Sequence, residues 1–449
     1  MIVALLAIVT LGYTQSAFAA VSPEESAKLG TTLTGVGAEK AGNQDGTIPP
    51  YTGGLTKPPL NYKPGSGVRP DPFAGEKPLF SINAQNMNQY ADKLTEGTKA
   101  LMKMYPTFRI DVYKTHRTTA VPDFVVKNTA KNAIKAKTTN GGLSVRDAHA
   151  GYPFSIPKDG YEVMWNHLLR YEGRAWESKT ISVVVDSSNR INVTGGGVWT
   201  EEFPYYDEDP TRSDSHLYWK VKWLYDFPAR KAGESGILMD PLDPYEKKRV
   251  AYQYLPGQRR VKLAPEIGFD TPSMNTSGNN VYDEEYAFCG SMERFNFKLV
   301  GKKEFYVPYN TYKATYEVKK KEELFTPKHY NPDVLRWELH RMWIVDATLK
   351  PSKRHIYHKR RFYVDEDCWT IITNENYDAR GDLFKVNFNY HVQNYDMPAS
   401  STAFYAGYNL TTGCYYGSFW PGEDGYLRLT QVRPERFWTP STLAGCGVR

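Results

Sequence analysis

The sequence predicts an α+β fold: one large curved antiparallel β-sheet, curling toward a half-barrel or barrel, with helices against one face. Three observations lead there. Short extended runs separated by tight turns follow one another from Lys179 to Val392. Aromatic residues make up 14% of the chain, with 33 Tyr and 10 Trp, and many alternate with polar residues instead of recurring at helical spacing. Helical periodicity is confined to about the first 175 residues.

Residues 1–20 read as a cleavable secretory signal. Ile2 to Leu11 is an apolar run, followed by a polar break at Gln15 and Ser16 and small residues at Ala17, Ala19 and Ala20, an Ala-x-Ala cleavage pattern. The run is shorter than the roughly 20 apolar residues of a spanning helix. No Lys or Arg precedes Ile2, and no Cys stands near the cleavage site to accept a lipid. The expectation is a mature chain beginning near Val21, working free in the periplasm.

Residues 21–72 form a Gly/Pro-rich segment expected to be extended, with Ile48, Tyr51 and Leu55 docking it on the main body. Residues 73–449 are expected to form a single large β-rich domain, its helices mainly within 83–173. Met87, Tyr90, Leu94, Leu101 and Tyr105 share one helical face between Asn83 and Tyr105, and Pro106 ends that helix. A second helix is predicted from Pro122 to about Ala136. A third follows Lys158, with Tyr161, Trp165, Leu168 and Leu169 on one face, and stops near Gly173.

The strand series begins with Thr180–Val185, Ile191–Thr194, Leu217–Asp226, Gly236–Met239, Arg249–Leu255 and Gln258–Leu263. It continues with Phe295–Val300, Tyr312–Lys319, Trp337–Leu349, His355–Val364, Trp369–Asn376 and Phe384–Val392. Turns such as Pro256-Gly257 and Asp365-Glu366-Asp367 join neighbours into an antiparallel meander. Arg354 to Val364 carries charge on both sides, which predicts a half-exposed strand.

The net charge of +6 is spread along the chain, so nucleic acid is not indicated as a partner. G-x-S-x-G, H-E-x-x-H, a phosphate-binding loop and an EF-hand loop are all missing. No catalytic residue, metal ligand or cofactor is therefore assigned. His355 and His358, three apart on a strand, point to opposite faces and do not form a chelating pair. Glu201 with Glu202 and Asp365 to Asp367 read as turns or solvated edges. The four Cys lie in the last third, and Cys414 with Cys446 is the favoured disulfide, because both stand in the loop-rich C-terminus.

Val250-Ala-Tyr-Gln-Tyr-Leu-Pro-Gly-Gln-Arg-Arg-Val-Lys-Leu263 resembles a hairpin of periplasmic LolA/LolB-like lipoprotein-sorting carriers, through Tyr252, Tyr254, Pro256, Arg259, Arg260 and Val261. Lys353 to Trp369 and Tyr377 to Leu383 resemble a later hairpin of the same carriers. Gly30 to Asn43, Tyr152 to His167 and Lys298 to Tyr309 are similar to the domain-of-unknown-function family 1329, a proteobacterial outer-membrane lipoprotein-sorting-protein-like family of the LolA/LolB-like superfamily. The resemblance covers nearly the whole mature chain. It implies a half-barrel sheet with helices packed on its concave face, enclosing an apolar cavity. It also implies an inner-membrane lipid-exporter-like transporter and an outer-membrane protein as partners.

A carrier makes physical sense: at about 0.8 kcal/mol per buried CH₂, a 16-carbon chain needs on the order of 12 kcal/mol of shelter from water. The sequence reading is therefore a non-enzymatic periplasmic carrier or chaperone for a lipid-like or lipoprotein acyl ligand. Trp219, Trp223, Tyr252, Tyr254, Trp337, Leu339 and Trp343 form its expected ligand wall, with Arg259 and Arg260 at the rim for an anionic headgroup. One alternative is an envelope carbohydrate-binding or carbohydrate-modifying protein, with Tyr205, Tyr206, Tyr218, Trp219, Trp223, Tyr415 and Tyr416 as a stacking platform. The other is a structural subunit of an envelope export complex.

Overall fold

A computed structural model describes residues 21–209 and 211–444. The expected signal segment and Cys446 lie outside the described residues, and the disulfide expected between Cys414 and Cys446 lies outside them with Cys446. Cys289 and Cys368 are buried free thiols.

One sheet of sixteen strands dominates the chain. It starts with β1 (Phe80–Asn83) and β2 (Arg109–Val112), after which β3 (Lys137–Thr139) and β4 (Ser144–Arg146) form a separate small hairpin. Six strands follow: β5 (Ala175–Val185), β6 (Ile191–Glu202), β7 (Leu217–Phe227), β8 (Ser235–Pro241), β9 (Val250–Leu255) and β10 (Arg260–Leu263). Next come β11 (Phe295–Pro308), β12 (Trp337–Leu349), β13 (Lys359–Asp365), β14 (Ile371–Tyr377) and β15 (Leu383–Asn394). The last three are β16 (Ala399–Asn409), β17 (Tyr415–Trp420) and β18 (Tyr426–Leu429).

Two meanders, β5 to β10 and β12 to β17, are joined where β17 pairs antiparallel with β5. β11 flanks β12 on its other edge, and β18 continues the pairing of β5 beyond β17. The sheet curls strongly, since β11 also touches β14 and β15, which lie three and four strands away across the ladder. It does not close: β10 ends the pairing order on one side, and β1 and β11 end it on the other. The predicted α+β class, with a curved and open antiparallel sheet, is what the structure has.

The helices are α1 (Pro23–Ser26), α2 (Glu96–Met104), α3 (Asp123–Lys135), α4 (Gly160–Leu168), α5 (Lys321–Leu324) and α6 (Ser441–Ala444). They do not share a single side of the sheet. Leu101 and Met102 of α2 join the core of Val386, Phe388 and Tyr390 on one side of β15. Val163, Met164, Trp165 and Leu168 of α4 pack in a separate core with Phe295 and Phe297 of β11. The helix expected from Asn83 to Tyr105 is broken in two, because the Thr95 hydroxyl accepts the Thr98 N–H at 3.1 Å and caps α2 in place. A 3₁₀ segment, Met87–Lys93, precedes it. Asp159 caps α4 in the same way through the Glu162 N–H, 2.9 Å away.

One expected strand is absent. Tyr312 to Lys319 is a compact turn, with Lys313–Glu317 π-helical, held by Tyr312 donating to the Gln393 carbonyl at 2.5 Å. The strand expected from His355 begins only at Lys359 and is buried where half-exposure was predicted, because Arg360 finds a carboxylate partner from another part of the chain.

Gly160 marks a close approach of helix to sheet backbone. A Cβ there would stand 2.7 Å from the Phe297 carbonyl carbon and 2.8 Å from the Lys298 nitrogen, both backbone atoms of an edge strand. Gly160→Ala is expected to lower stability by about 1–3 kcal/mol, read as a fall in the urea midpoint at unchanged m-value.

Candidate functional site

Among the regions that bring apolar side chains toward space, two stand out. The first is an aromatic wall on one side of β6 to β8 and β17. Trp199, Trp219, Val221, Trp223, Tyr225, Leu238 and Phe419 line it. Alternation places Trp219, Val221, Trp223 and Tyr225 on one side of β7, and the Trp223 ring lies over Gly236, its cross-strand partner.

The wall is covered by the long connection 264–294 between β10 and β11, a strap with no strand of the main sheet. It is docked by charge. Lys385 on β15 donates to Glu284 at 3.0 Å and to the Asn279 carbonyl at 2.7 Å, and Asn387 donates to Glu284 at 2.7 Å. Arg360 on β13 lies 3.1 Å from Asp283 and donates to the Ala287 carbonyl at 2.9 Å. His355 Nε2 is 3.0 Å from the other Asp283 oxygen. Burial pushes the Asp283 carboxyl up, but Arg360 and His355 outweigh it and hold it at about 2.

Tyr286 carries the strap into the aromatic wall. Its hydroxyl donates to Glu201 at 2.9 Å, and its ring meets Trp219, Tyr405 and Phe419, with the Arg170 guanidinium 5.3 Å from the ring centre. Tyr286 and Ala287 have φ of 54° and 70°, a conformation costly for residues with a Cβ and held here by the surrounding packing. Around this ring the spaces are small, of about 20 and 30 Å³, and the neighbouring wall encloses about 40 Å³ more. Among the described residues the chain's own strap fills the space beside this wall, where an acyl-sized interior cavity was expected.

Glu201 is buried, contrary to the solvated edge expected for it. It accepts the Trp219 indole N–H at 2.8 Å, and burial together with the nearby Glu172 pushes its carboxyl up to about 7. Glu202 likewise turns inward, 2.8 Å from Lys220. Asp365 to Asp367 do form a turn, but a buried one, with Asp367 2.7 Å from Arg117 and Glu366 2.8 Å from Lys302.

The predicted wall residues do not form one surface. Trp219 and Trp223 lie in the strap-covered wall. Tyr252 and Tyr254 point to the other side of β9, against Trp438 and Leu443 of the C-terminal segment. Trp337 and Leu339 belong to the core beneath α2, where Trp337 meets Phe388 at 5.5 Å. Trp343 stacks on Trp369 at 6.1 Å. Arg259 and Arg260 are exposed at the β9–β10 turn. Of the rings proposed as a sugar platform, Tyr205, Tyr206, Tyr218, Trp219, Tyr415 and Tyr416 are buried and present no face to solvent.

The second region is an open cleft of about 560 Å³, within the range of small-molecule sites. Its apolar lining is Ile181 of β5, Val193 of β6, Phe227 of β7 and Trp420 of β17. The Trp420 N–H donates to the Ala314 carbonyl at 2.9 Å, which holds the 313–324 segment against the cleft. Phe227 is 49% exposed although it ends a strand in the middle of the sheet order. Lys179, Lys319, Lys320, Lys321, Asp226, Glu322, Glu423 and Asp424 supply the charged part of the lining. Sequence reasoning missed this site because its residues come from five separated stretches, and its one legible mark was the Lys319-Lys320-Lys321 run.

Removing one partner of a buried ion pair strands the other. Lys385→Met is expected to cost about 3–5 kcal/mol in chemical denaturation. Adding Glu284→Gln is expected to recover part of that loss, giving a coupling energy well above zero.

Glu201 gives a pH signature. Its folded pKa is raised, so the protonated group's stabilisation is complete below its unfolded pKa and is lost as pH rises through about 7. Glu201→Gln is expected to raise the melting temperature at about pH 9, by the equivalent of roughly 3 kcal/mol, and to change little near pH 4.

Comparisons with known proteins complete the description. The model of a family described as Protein of unknown function (DUF1329) matches residues 81–444. The uncharacterized protein PA3922 of Pseudomonas aeruginosa is 39% identical over 438 residues, covering 96% of this chain and 95% of that protein. A Vibrio parahaemolyticus domain described as a candidate outer membrane lipoprotein-sorting protein aligns with a TM-score of 0.43 at 14% identity, over 64% of this chain and 98% of that one. The LolA superfamily protein NE2245 of Nitrosomonas europaea aligns with a TM-score of 0.35 at 7% identity, over 63% of this chain and 98% of that one.

Proposed function

This chain belongs to the family described as Protein of unknown function (DUF1329), and from that premise we propose that it is a periplasmic carrier or chaperone for a lipid-like ligand bound for the outer membrane. It acts by sheltering its ligand and not by chemical conversion. The observation that carries the reading is the open cleft of about 560 Å³, with Ile181, Val193 and Phe227 exposing apolar surface beside charged side chains and the buried Trp420 backing them. Apolar surface gathered in a ligand-sized concavity costs the free protein hydration energy that an acyl chain relieves. Among the described residues no helix is long and apolar enough to cross a membrane, in keeping with a shuttle.

The test is native mass spectrometry of protein purified from its own envelope, followed by organic extraction and titration of the emptied protein with a fluorescent fatty acid. A co-purifying hydrophobic compound and a saturable site are expected. Ile181→Glu, which places a charge in the apolar lining, is expected to weaken probe binding by about tenfold or more while unfolding stays cooperative. Protein that is consistently empty and binds no probe ends the carrier reading.

A further inference from the structure

The cleft's charges narrow the ligand class. Resting on the carrier reading, we propose that the cleft takes a zwitterionic phospholipid, its phosphate meeting the lysines and its ammonium the carboxylates. Four lysines and four carboxylates line the cavity, so the lining carries no formal net charge. Lys321 and Glu322 pair with one another at 2.6 Å. Lys179, Lys319, Lys320, Asp226, Glu423 and Asp424 make no ion pair among the described residues, although all six border one cleft.

The two signs come from different elements. Lys319 and Lys320 enter from the segment leading into α5, whereas Glu423 and Asp424 stand on the turn between β17 and β18. Each group is a like-charged neighbouring pair, which repels itself until an opposite charge is placed against it. An anionic amphiphile would satisfy the lysines and leave the carboxylates facing it. A zwitterionic headgroup satisfies both, while its chain covers Ile181, Val193 and Phe227. The apolar lining also separates a phospholipid from its free headgroup, since burial of the chain supplies most of the affinity.

Calorimetric titration with monomeric lysophosphatidylethanolamine, lysophosphatidylglycerol of the same chain length and free phosphoethanolamine tests the proposal. The ethanolamine lipid is expected to bind about tenfold tighter than the glycerol lipid, and the free headgroup at least about a hundredfold more weakly. Lys319→Glu with Lys320→Glu is expected to weaken the ethanolamine lipid about tenfold. Glu423→Lys with Asp424→Lys is expected to turn the preference toward the glycerol lipid. All four positions border open space, and an unchanged unfolding midpoint confirms that each variant folds. A wild-type preference for the glycerol lipid, no preference, or equal binding of the free headgroup overturns the zwitterion proposal while leaving the carrier. Binding of no amphiphile at all overturns both.

Discussion

The docking of Asp283 and Glu284 onto Arg360 and Lys385 is the constraint on which the interior depends. A charge taken out of water is costly unless paired, and here four charges are removed together with Asn376, Asn387 and Asn389, which bond the same strap. One side of β15 is apolar at Val386, Phe388, Tyr390 and Val392 and would accept any apolar cover. Its other side, with Lys385, Asn387 and Asn389, is satisfied only by a partner that presents carboxylates and carbonyls at matching spacing. The strap does so through Glu284 and the Tyr286 carbonyl, and its register on the sheet is set by those contacts more than by hydrophobicity.

That register puts Tyr286 into the aromatic wall. The hydroxyl reaching Glu201 and the guanidinium of Arg170 against the ring fix the side chain from two directions, and the left-handed backbone at Tyr286 and Ala287 is the cost of doing so. A sheet that curls until β11 meets β15 has a deep interior, and this one fills it from within. Ligand-sized room is left outside the strap, where β5, β6 and β7 are overlooked by the 313–324 segment. Sheet edges are managed by similar means. β10 is four residues long with exposed Arg260 and Leu263, and the C-terminal segment packs Trp438 and Leu443 across β8 and β9.

Much of the sheet was legible because alternation and turn residues are local signals. Trp337–Leu349 stands at its expected bounds, and most other strands begin or end within a few residues of theirs. β16 was unread: its Ala and Gly residues carry little strand signal, and its strand character comes from ladders to β15 and β17. The Tyr312–Lys319 alternation was overruled by a tertiary hydrogen bond. The charged strand around Arg360 looked exposed because its partner, Asp283, lies far away in sequence, and the same applies to Asp367 with Arg117. The candidate site was least legible. Periodicity says which side of a strand a ring takes, as it did for Trp219 and Trp223, but not which segment will cover that side.

The two apolar regions share one irregularity. The pairing of β17 with β5 breaks between Gly417 and Trp420, where Phe419 adopts a left-handed φ of 65°. Phe419 turns into the strap-covered wall, 5.0 Å from the Trp199 ring centre, while Trp420, itself buried, backs the outer cleft and holds the segment that overlooks it. Successive residues of one bulged strand therefore set a boundary of each region. Bulges re-aim side chains, so the directions of the Phe419 and Trp420 rings are set by the same local backbone. Through Phe419, packed on Tyr286 of the strap, this bulge ties the interior aromatic wall to the strand that backs the outer cleft.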